Sequence, residues 1–176
     1  MDDKQTPVQL KSILIRTVLR PGDMGYIVHL HGVLYKEECD YGLGFETYVA
    51  SGLVEFCQRY DPKRDRVWIC EHQGRIIGFL LLMHRDEQVA QLRYFLLEPE
   101  YRGIGLGKKL MELYMDHLKL VGYRSTYLWT TRDQETAISL YKRYGFRLTE
   151  EKSSDAFGKP LVEQKYELEI YVGENV

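Results

Sequence analysis

A glycine-rich turn between an apolar run and an amphipathic segment is the feature that most constrains how this chain folds. The turn comprises residues 102–107 (RGIGLG); the apolar run 92–97 precedes it and the helix-like segment 108–114 follows it. A strand, a glycine turn and a helix in that order form an anion site. Glycines let backbone N–H groups approach a phosphate, and the helix N-terminus adds the positive end of its dipole. We therefore predict an anion-binding turn at residues 102–107.

Two common phosphate loops fit these residues poorly. A Walker loop needs Ser or Thr after its Gly-Lys pair, and that place is held here by Lys109. A dinucleotide fingerprint placed on Gly103 and Gly105 meets Lys108 where its third glycine belongs. Residues 122–126 also lack the acidic residue that this fingerprint expects about 20 positions on. The remaining alternative to an anion site is a plain turn with a glycine helix cap.

The composition is that of an ordinary globular chain. Its 176 residues are predicted to form one domain, residues 1–176. The formal net charge of −2 gives no global basic field, so nucleic acid is not an expected partner. Cys39, Cys57 and Cys70 lack CxxC spacing, which favours reduced thiols. Residues 1–5 have no signal-peptide core and no stretch approaches roughly 18 apolar residues, so we expect a cytoplasmic protein that does not associate with membranes.

Hydrophobic spacing predicts elements in the order β-α-α-β-β-β-α-β-α-β-β, with Asp23 and Asp133 as N-caps of the first and fourth helices. Antiparallel hairpins around one β-α-β crossover predict an α/β (α+β) fold, a mixed sheet covered by helices. The glycine turn then lies at the carboxyl end of a central strand. The predicted strands are residues 8–19, 67–71, 76–83, 89–97, 126–130, 146–151 and 166–171, and the predicted helices are 24–38, 45–59, 106–121 and 134–144.

Two separate motifs connect the chain to a known family. The first has the pattern Arg/Gln-x-x-Gly-x-Gly/Ala after a strand and is matched by Arg102, Gly105 and Gly107. The second is a helix running into Gly-Phe and a strand, and is matched by Ala137, Tyr141, Gly145 and Phe146. By these motifs, in the correct order, the chain resembles the GNAT superfamily of N-acetyltransferases. The resemblance covers essentially the whole chain and implies a GNAT-like, largely antiparallel sheet of about seven strands with four helices in a single domain.

The N-terminal region resembles a narrower subgroup of this superfamily. In that subgroup the acetyltransferase domain often follows a MarR-like DNA-binding domain. No such domain is expected before the residues that carry the resemblance, so regulation of DNA is not implied. Those residues are the run 20–23 together with His31, Tyr35, Glu38, Phe45 and Glu46.

The resemblance implies acetyl-CoA as co-substrate and no metal. In such enzymes the strand before the glycine turn is bulged and splays from its neighbour. The backbone of Phe95 and Leu97 is then expected to hold the pantetheine arm, and Gln134 to contact the cofactor. The pyrophosphate is expected on Arg102, Gly103, Ile104, Gly105, Leu106, Gly107 and Lys108. The 3′-phosphate could be reached by Arg132, Lys142 and Arg143, and the alternative for these three residues is a solvated basic face.

Acyl transfer to an amine needs a base for the amine, a donor for the oxyanion and a proton for the departing thiolate. Tyr141 matches the family position whose phenol donates that last proton; its alternative is a packed aromatic. Some relatives place a carboxylate on the central strand, near Gln91 here, and glutamine cannot take a proton. Glu38 and Glu46 are therefore the candidate bases, and surface solvation is the alternative for each.

The predicted function is transfer of an acetyl group from acetyl-CoA to the primary amine of a small molecule or amino acid. The reaction is expected to proceed by direct attack in a ternary complex, and a homodimer is possible by the same resemblance. Tyr35, Tyr41 and Arg93 are expected to shape the acceptor pocket, and an inward Arg93 suits an acceptor that bears a carboxylate. The alternative is a non-catalytic acyl-CoA-binding sensor, which keeps the glycine turn but does not need Tyr141.

Overall fold

The computed structural model describes residues 8–170. Seven strands form a single sheet that four long helices cover. The strands are β1 (Leu14–Arg16), β2 (Arg66–His72), β3 (Arg75–Asp86), β4 (Val89–Leu97), β5 (Ser125–Thr131), β6 (Arg147–Ser154) and β7 (Leu161–Glu169). The helices are α1 (Asp23–Cys39), α2 (Leu43–Arg59), α3 (Leu106–Val121) and α4 (Glu135–Arg143), with short 3-10 helices at Leu10–Ser12 and Pro99–Tyr101.

The sheet has the strand order β1-β2-β3-β4-β5-β7-β6. Every neighbouring pair is antiparallel except β4 and β5, which are parallel because α3 carries the chain back between them. The prediction of a mixed, largely antiparallel sheet of seven strands with four helices is confirmed. Among the helices of residues 8–170, none combines the length and the apolar surface needed to cross a membrane.

The inner strand β3 supplies side chains to two separate cores, one on each face of the sheet. Leu80 and Leu82 point into the core under α3 and α4, whereas Phe79 and Leu81 point into the core under α1 and α2. Successive side chains of a strand face opposite sides, so a strand buried on both faces must be apolar at nearly every position. This explains the continuous apolar run of β3 in the sequence.

The predicted strand over residues 8–19 is wrong in length. Within this predicted strand, only the three residues of β1 pair with β2. The residues before them, Leu10–Ser12, form a 3-10 helix. Both the backbone N–H and the hydroxyl of Ser12 donate to the carbonyl of Gln9, at 2.9 and 2.7 Å. Such local hydrogen bonds compete with a strand ladder, which alternation of apolar residues does not reveal.

The predicted N-caps are also displaced by one residue. Gly22 in a left-handed conformation is the N-cap of α1, and Gln134 is the N-cap of α4. Asp23 instead accepts hydrogen bonds from the buried guanidinium of Arg16, at 2.6 and 2.8 Å. A buried guanidinium needs a carboxylate partner more strongly than a helix end needs a cap.

The last strand begins earlier than predicted. β7 starts at Leu161 rather than at residue 166 and pairs with all of β5, from Ser125↔Glu169 to Thr131↔Glu163. Residue 171, the predicted end of this strand, lies outside the described residues. The earlier start brings Glu163 into the sheet beside Thr131.

Two helical glycines should respond oppositely to alanine, because only one of them has room for a methyl group. A Cβ at Gly52 of α2 would lie 1.8 Å from the Tyr94 hydroxyl oxygen, whereas a Cβ at Gly25 of α1 meets nothing within 4 Å. Alanine gains up to about 1 kcal/mol over glycine in a helix, and overpacking costs about 1–3 kcal/mol. We expect Gly25→Ala to raise the free energy of unfolding and Gly52→Ala to lower it. Urea unfolding measures both, and a Gly52→Ala protein as stable as its parent would contradict this packing.

Candidate functional site

A gap opens in the sheet where β4 and β5 part. The two strands share only the pairs Val89↔Ser125, Ala90↔Thr126 and Gln91↔Tyr127. Beyond Gln91 both continue, β4 to Leu97 and β5 to Thr131, without pairing. The second half of β4 therefore has backbone N–H and C=O groups that no strand takes up on that side, the arrangement that an extended ligand needs in order to bind like a strand. The predicted splaying of this strand is confirmed.

A bulge in β4 lies just beyond the point where the strands part. Between the pairs Leu81↔Arg93 and Phe79↔Leu96, β4 has one residue more than β3. Tyr94 in this bulge has φ 56°, a left-handed value that is unfavourable for a side chain of its size. Such strained residues persist where the surroundings hold them and are frequent at functional sites. The predicted bulge in β4 is therefore confirmed at Tyr94.

The glycine turn delivers an uncapped helix end beside this gap. Gly103 and Gly105 have φ of 75° and 91°, and Gly105 is the N-cap of α3 without any side-chain cap. The first N–H groups of α3 are thus free to bind an anion. Arg102 is bonded on both sides, its Nε donating to the Leu97 carbonyl at 2.9 Å and its Nη2 pairing with Glu38 at 2.8 Å. Its side chain therefore also ties the end of β4 to α1.

A pocket lies in the gap between β4 and β5; its cavity volume is about 100 Å³, and it opens to solvent. Its wall is formed by α1 and α2, by β4, β5 and β7, by α4 and by the β6–β7 loop. The lining residues are His31, Tyr35, Tyr41, Phe45, Tyr48, Val49, Gln91, Leu92, Arg93, Tyr94, Phe95, Trp129, Thr130, Thr131, Gln134, Ala137, Tyr141, Phe157 and Glu163.

Tyr141 of α4 is 5% exposed and lines this pocket, with its ring 6.3 Å from that of Phe95 and 6.0 Å from that of Phe146. Burial raises the pKa of its phenol well above the usual value, and the nearby Tyr35 phenol acts in the same direction. A group with a raised pKa stays protonated at neutral pH. Tyr141 therefore keeps its phenolic proton at neutral pH, and its role as a donor stays a prediction.

Six of the predicted site residues line the pocket, but the predicted bases do not. Tyr35, Tyr41, Arg93, Phe95, Gln134 and Tyr141 line it. Glu38 is held by Arg102 at 2.8 Å, and the Glu46 carboxylate packs against Gly32 of α1. Neither glutamate lines the pocket, so their role as bases stays a prediction.

The three basic residues suggested for the 3′-phosphate lie outside this pocket. Arg132, Lys142 and Arg143 line a separate shallow depression on α4 and β7, where Arg132 pairs with Glu151 at 3.0 Å. Their assignment stays a prediction. Within residues 8–170, no three His, Cys, Asp or Glu side chains are grouped so that they hold a metal ion.

Several lining residues carry no sequence motif. Glu163 and Trp129 reach the pocket through the β5–β7 register, and Phe157 reaches it because the β6–β7 loop folds back onto α2. The backbone N–H of Gly42 donates to the carbonyl of Phe157 at 2.8 Å, which fixes this loop on the turn between α1 and α2. No local pattern marks such residues; only the pairing of distant segments brings them together.

His31 is a neutral, buried histidine at the inner end of the pocket. It is 2% exposed, and its Nδ1–H donates to the Ile27 carbonyl at 2.8 Å. Among the described residues, its Nε2 and the Tyr94 hydroxyl are buried without a hydrogen-bond partner. Burial lowers the pKa of His31 from 6.5 to about 4, outweighing the opposing effect of the Ile27 hydrogen bond. Nε2 is thus a hydrogen-bond acceptor at neutral pH.

Comparison with protein families and curated relatives agrees with this geometry. The acetyltransferase (GNAT) family model matches residues 33–146, more than half of the chain. The uncharacterized N-acetyltransferase YjgM of Escherichia coli (strain K12) is 29% identical over 120 residues, which cover 65% of this chain and 72% of that protein. Several further acetyltransferases are longer, and this chain spans 62% or less of their length.

Solved structures share the fold at low sequence identity. An acetyltransferase from Streptococcus agalactiae 2603 superposes with a TM-score of 0.72 at 19% identity, over 92% of this chain and 100% of that one. The spermidine N-acetyltransferase from Vibrio cholerae, solved with CoA and spermine, superposes with a TM-score of 0.67 at 18% identity, over 90% and 96%. These likenesses show a common fold and leave the acceptor of this chain open.

The buried His31 should make stability depend on pH. A folded-state pKa below the unfolded value means that protonation favours the unfolded chain. The penalty is absent above pH 6.5 and grows as the pH falls from 6.5 towards about 4, where it reaches on the order of 3 kcal/mol. We expect His31→Gln, which keeps a donor for the Ile27 carbonyl, to flatten the rise of unfolding free energy with pH across this range. Urea unfolding at several pH values measures the slope.

The matched control is His29→Gln, an exposed position on the same helix. This change removes an imidazole without touching the core, so it separates the effect of burial from that of losing any histidine. A His31→Gln protein with the parent slope would show that His31 is not held neutral in the folded state.

Proposed function

Because the chain belongs to the acetyltransferase (GNAT) family, we propose that it transfers an acetyl group from acetyl-CoA to the primary amine of a small molecule or amino acid. The amine attacks directly, with both substrates bound together. The observation that carries the proposal is the position of the Tyr141 phenol inside a pocket that opens where β4 leaves β5. The open edge of β4 suits the pantetheine arm of acetyl-CoA, and the free end of α3 suits its phosphates. Tyr141 lies where an acid could protonate the sulfur of the thioester.

The residues present fit acetyl-CoA on two independent features. The edge of β4 around Phe95 and Leu97 has no strand partner on the β5 side, which supports its assignment to the pantetheine arm. The turn from Arg102 to Lys108 ends in the uncapped N-terminus of α3, which supports its assignment to the pyrophosphate. Acetyl-CoA supplies the activated acyl group, and the chain orients it and manages protons.

We assign to Tyr141 the protonation of the departing sulfur. Its phenol carries a proton throughout the neutral range and lies on the helix opposite the open edge of β4. Donation of that proton stabilises the thiolate as the carbon–sulfur bond breaks. The amine gives up its own proton to a base or to water; Glu38 and Glu46 remain candidates for that role from outside the pocket lining.

Incubation with acetyl-CoA and a panel of amines tests the proposal, with free CoA as the measured product. Release of CoA that depends on the added amine supports acetyl transfer. Tight acetyl-CoA binding without release for any amine would instead support the alternative, a non-catalytic sensor. Membership in the subgroup often fused to MarR-like domains and a homodimeric state are expectations that this assay does not address.

Replacement of Gly105 by valine should weaken acetyl-CoA binding at least about tenfold, or roughly 1.4 kcal/mol, because a side chain then stands where the pyrophosphate approaches. Calorimetry measures the affinity. Gly22→Val is the matched control: Gly22 is likewise a left-handed N-cap, of α1, with φ 98° against 91° for Gly105. Both variants suffer the same backbone strain, so unchanged affinity in a folded Gly105→Val protein would refute the pyrophosphate assignment.

Tyr141→Phe keeps the ring and removes the proton. We expect kcat to fall by about 10- to 1000-fold where chemistry limits turnover, with the acetyl-CoA affinity nearly unchanged. Single-turnover kinetics measure the chemical step. Tyr144→Phe is the control, since the Tyr144 phenol lies at the end of the same helix and donates to the Lys108 carbonyl at 3.2 Å. A Tyr141→Phe enzyme with the parent single-turnover rate would leave Tyr141 with a packing role alone.

A further inference from the structure

We propose that the acceptor is a zwitterion, an amino acid that carries a carboxylate as well as its reacting amine. Arg93 binds the carboxylate and Glu163 binds the ammonium group. This inference rests on the proposed acetyl transfer and names the class of acceptor that the pocket takes. Glu163 carries no motif, so it was not among the candidates that the sequence suggested.

The charges of the pocket carry the inference. Of the nineteen residues that line it, Arg93 and Glu163 alone bear a formal charge at neutral pH, since burial holds His31 neutral. One positive and one negative group match one carboxylate and one ammonium. A polyamine carries several positive charges, and a pocket with a single carboxylate and a buried guanidinium does not complement it.

Arg93 is a buried guanidinium that lacks a close partner of its own. Its side chain is 9% exposed, and its guanidinium carbon lies 5.2 Å from the ring centre of Tyr48 and 4.6 Å from that of Tyr94. The single carboxylate within 4.0 Å of it among the described residues is Glu55, at that limiting distance. Glu55 is already bonded by Arg85 at 2.8 Å. A guanidinium fixed between two rings with donors to spare suits bidentate binding of a carboxylate.

Glu55 does not neutralise Arg93, because Glu55 is shared among three arginines. Arg59 bonds it at 2.9 Å, in addition to Arg85 and the more distant Arg93. Burial acts to raise the pKa of Glu55, but the hydrogen bond and charge of Arg85 and the charges of Arg93 and Arg59 lower it overall. One carboxylate against three guanidinium groups leaves an excess of positive charge at this end of the pocket.

Glu163 supplies the opposite charge from the other side of the gap. It lies on β7 in register with Thr131 of β5, whereas Arg93 lies on β4, so the parted strands separate the two charges. Its side chain is 18% exposed and pairs with Lys152 at 3.4 Å. The Lys152 ammonium also lies 4.6 Å from the ring centre of Trp129, a second partner that it keeps if an acceptor amine takes its place beside Glu163.

The surface between the two charges is aromatic. Phe157 packs at 4.9 Å from Phe45, 5.2 Å from Tyr41 and 5.5 Å from Tyr48, measured between ring centres. These rings provide a wall for the body of a small amino acid and offer no further charge. The pocket therefore selects the two charged groups of an acceptor and tolerates an apolar body beside them.

The test compares each of the common L-amino acids with its amide and with the amine that lacks the carboxylate, at fixed acetyl-CoA. In the parent protein the best acceptor should be an amino acid, with kcat/KM at least about tenfold above its amide. Arg93→Met should remove that preference, lowering kcat/KM for the amino acid at least about tenfold and for the amide by less than about threefold. Arg93→Lys, which keeps the charge but not the planar fork, should fall between them.

Glu163→Gln should act differently from Arg93→Met. It should lower kcat/KM about tenfold for the amino acid and for its amide alike, because both carry the ammonium group, while the acetyl-CoA affinity is unchanged. Two controls use matched ion pairs outside the pocket. Arg59→Met removes another partner of Glu55, and Glu167→Gln breaks the Glu167–Lys165 pair further along β7. Both should leave the preference for the carboxylate intact.

Calorimetric binding of the best amino acid and its amide to the CoA-bound protein separates this inference from the proposed function. Absence of turnover with any amine, together with amino-acid binding that Arg93→Met abolishes, would sink the acetyl-transfer proposal and keep the pocket assignment. A best acceptor without a carboxylate, or equal loss for amino acid and amide in a folded Arg93→Met protein, would overturn the assignment. If the protein shows no turnover and binds no amino acid, both the acetyl-transfer proposal and the pocket assignment are overturned.

Discussion

The parting of β4 from β5 after Gln91 is the constraint on which the rest of the site depends. If β4 and β5 were paired along their whole length, the sheet would have no free backbone edge at its centre and no space between its two faces. Because the strands separate, the pocket extends from the aromatic cluster under α1 and α2 to Tyr141 on α4. The same separation leaves the uncapped end of α3 beside the gap. The free edge of β4, the access to Tyr141 and the position of the α3 N-terminus thus all depend on the separation of β4 from β5.

The bulge of β4 beside this separation is held in place by packing that tolerates no extra atoms. Tyr94 keeps its left-handed backbone while its hydroxyl fills the space that a side chain at Gly52 would occupy. Arg93 lies against the Tyr94 ring, and Glu55 gathers the surrounding guanidinium groups. Strain of roughly 1–3 kcal/mol at one residue persists only when its neighbours determine its position this closely. The bulge and the position of Arg93 are therefore parts of one packed unit.

The acceptor side of the pocket depends on a second long-range contact, between the turn after α1 and the loop after β6. Gly44 brings the backbone of α2 so close to Ala156 that a Cβ there would lie 2.6 Å from its carbonyl oxygen. Lys159 of the same loop donates to the Cys39 carbonyl at 2.7 Å. These contacts place Phe157 over the aromatic residues of α2 and lead directly into β7, so the start of β7 and the position of Glu163 follow from them.

By itself the sequence determined the order of the elements, the glycine turn before α3 and the place of Tyr141, because each depends on local spacing: apolar periodicity, left-handed glycines and a helix of fixed register. It did not determine the length of β1, the start of β7 or the surroundings of Glu38 and Glu46. Nor did it single out Glu163. Those depend on strand register and on which charged groups meet, such as Arg102 with Glu38 and Arg16 with Asp23. Only the tertiary structure decided them, because a one-residue shift in pairing moves a side chain to the other face of the sheet, and no local pattern carries that information.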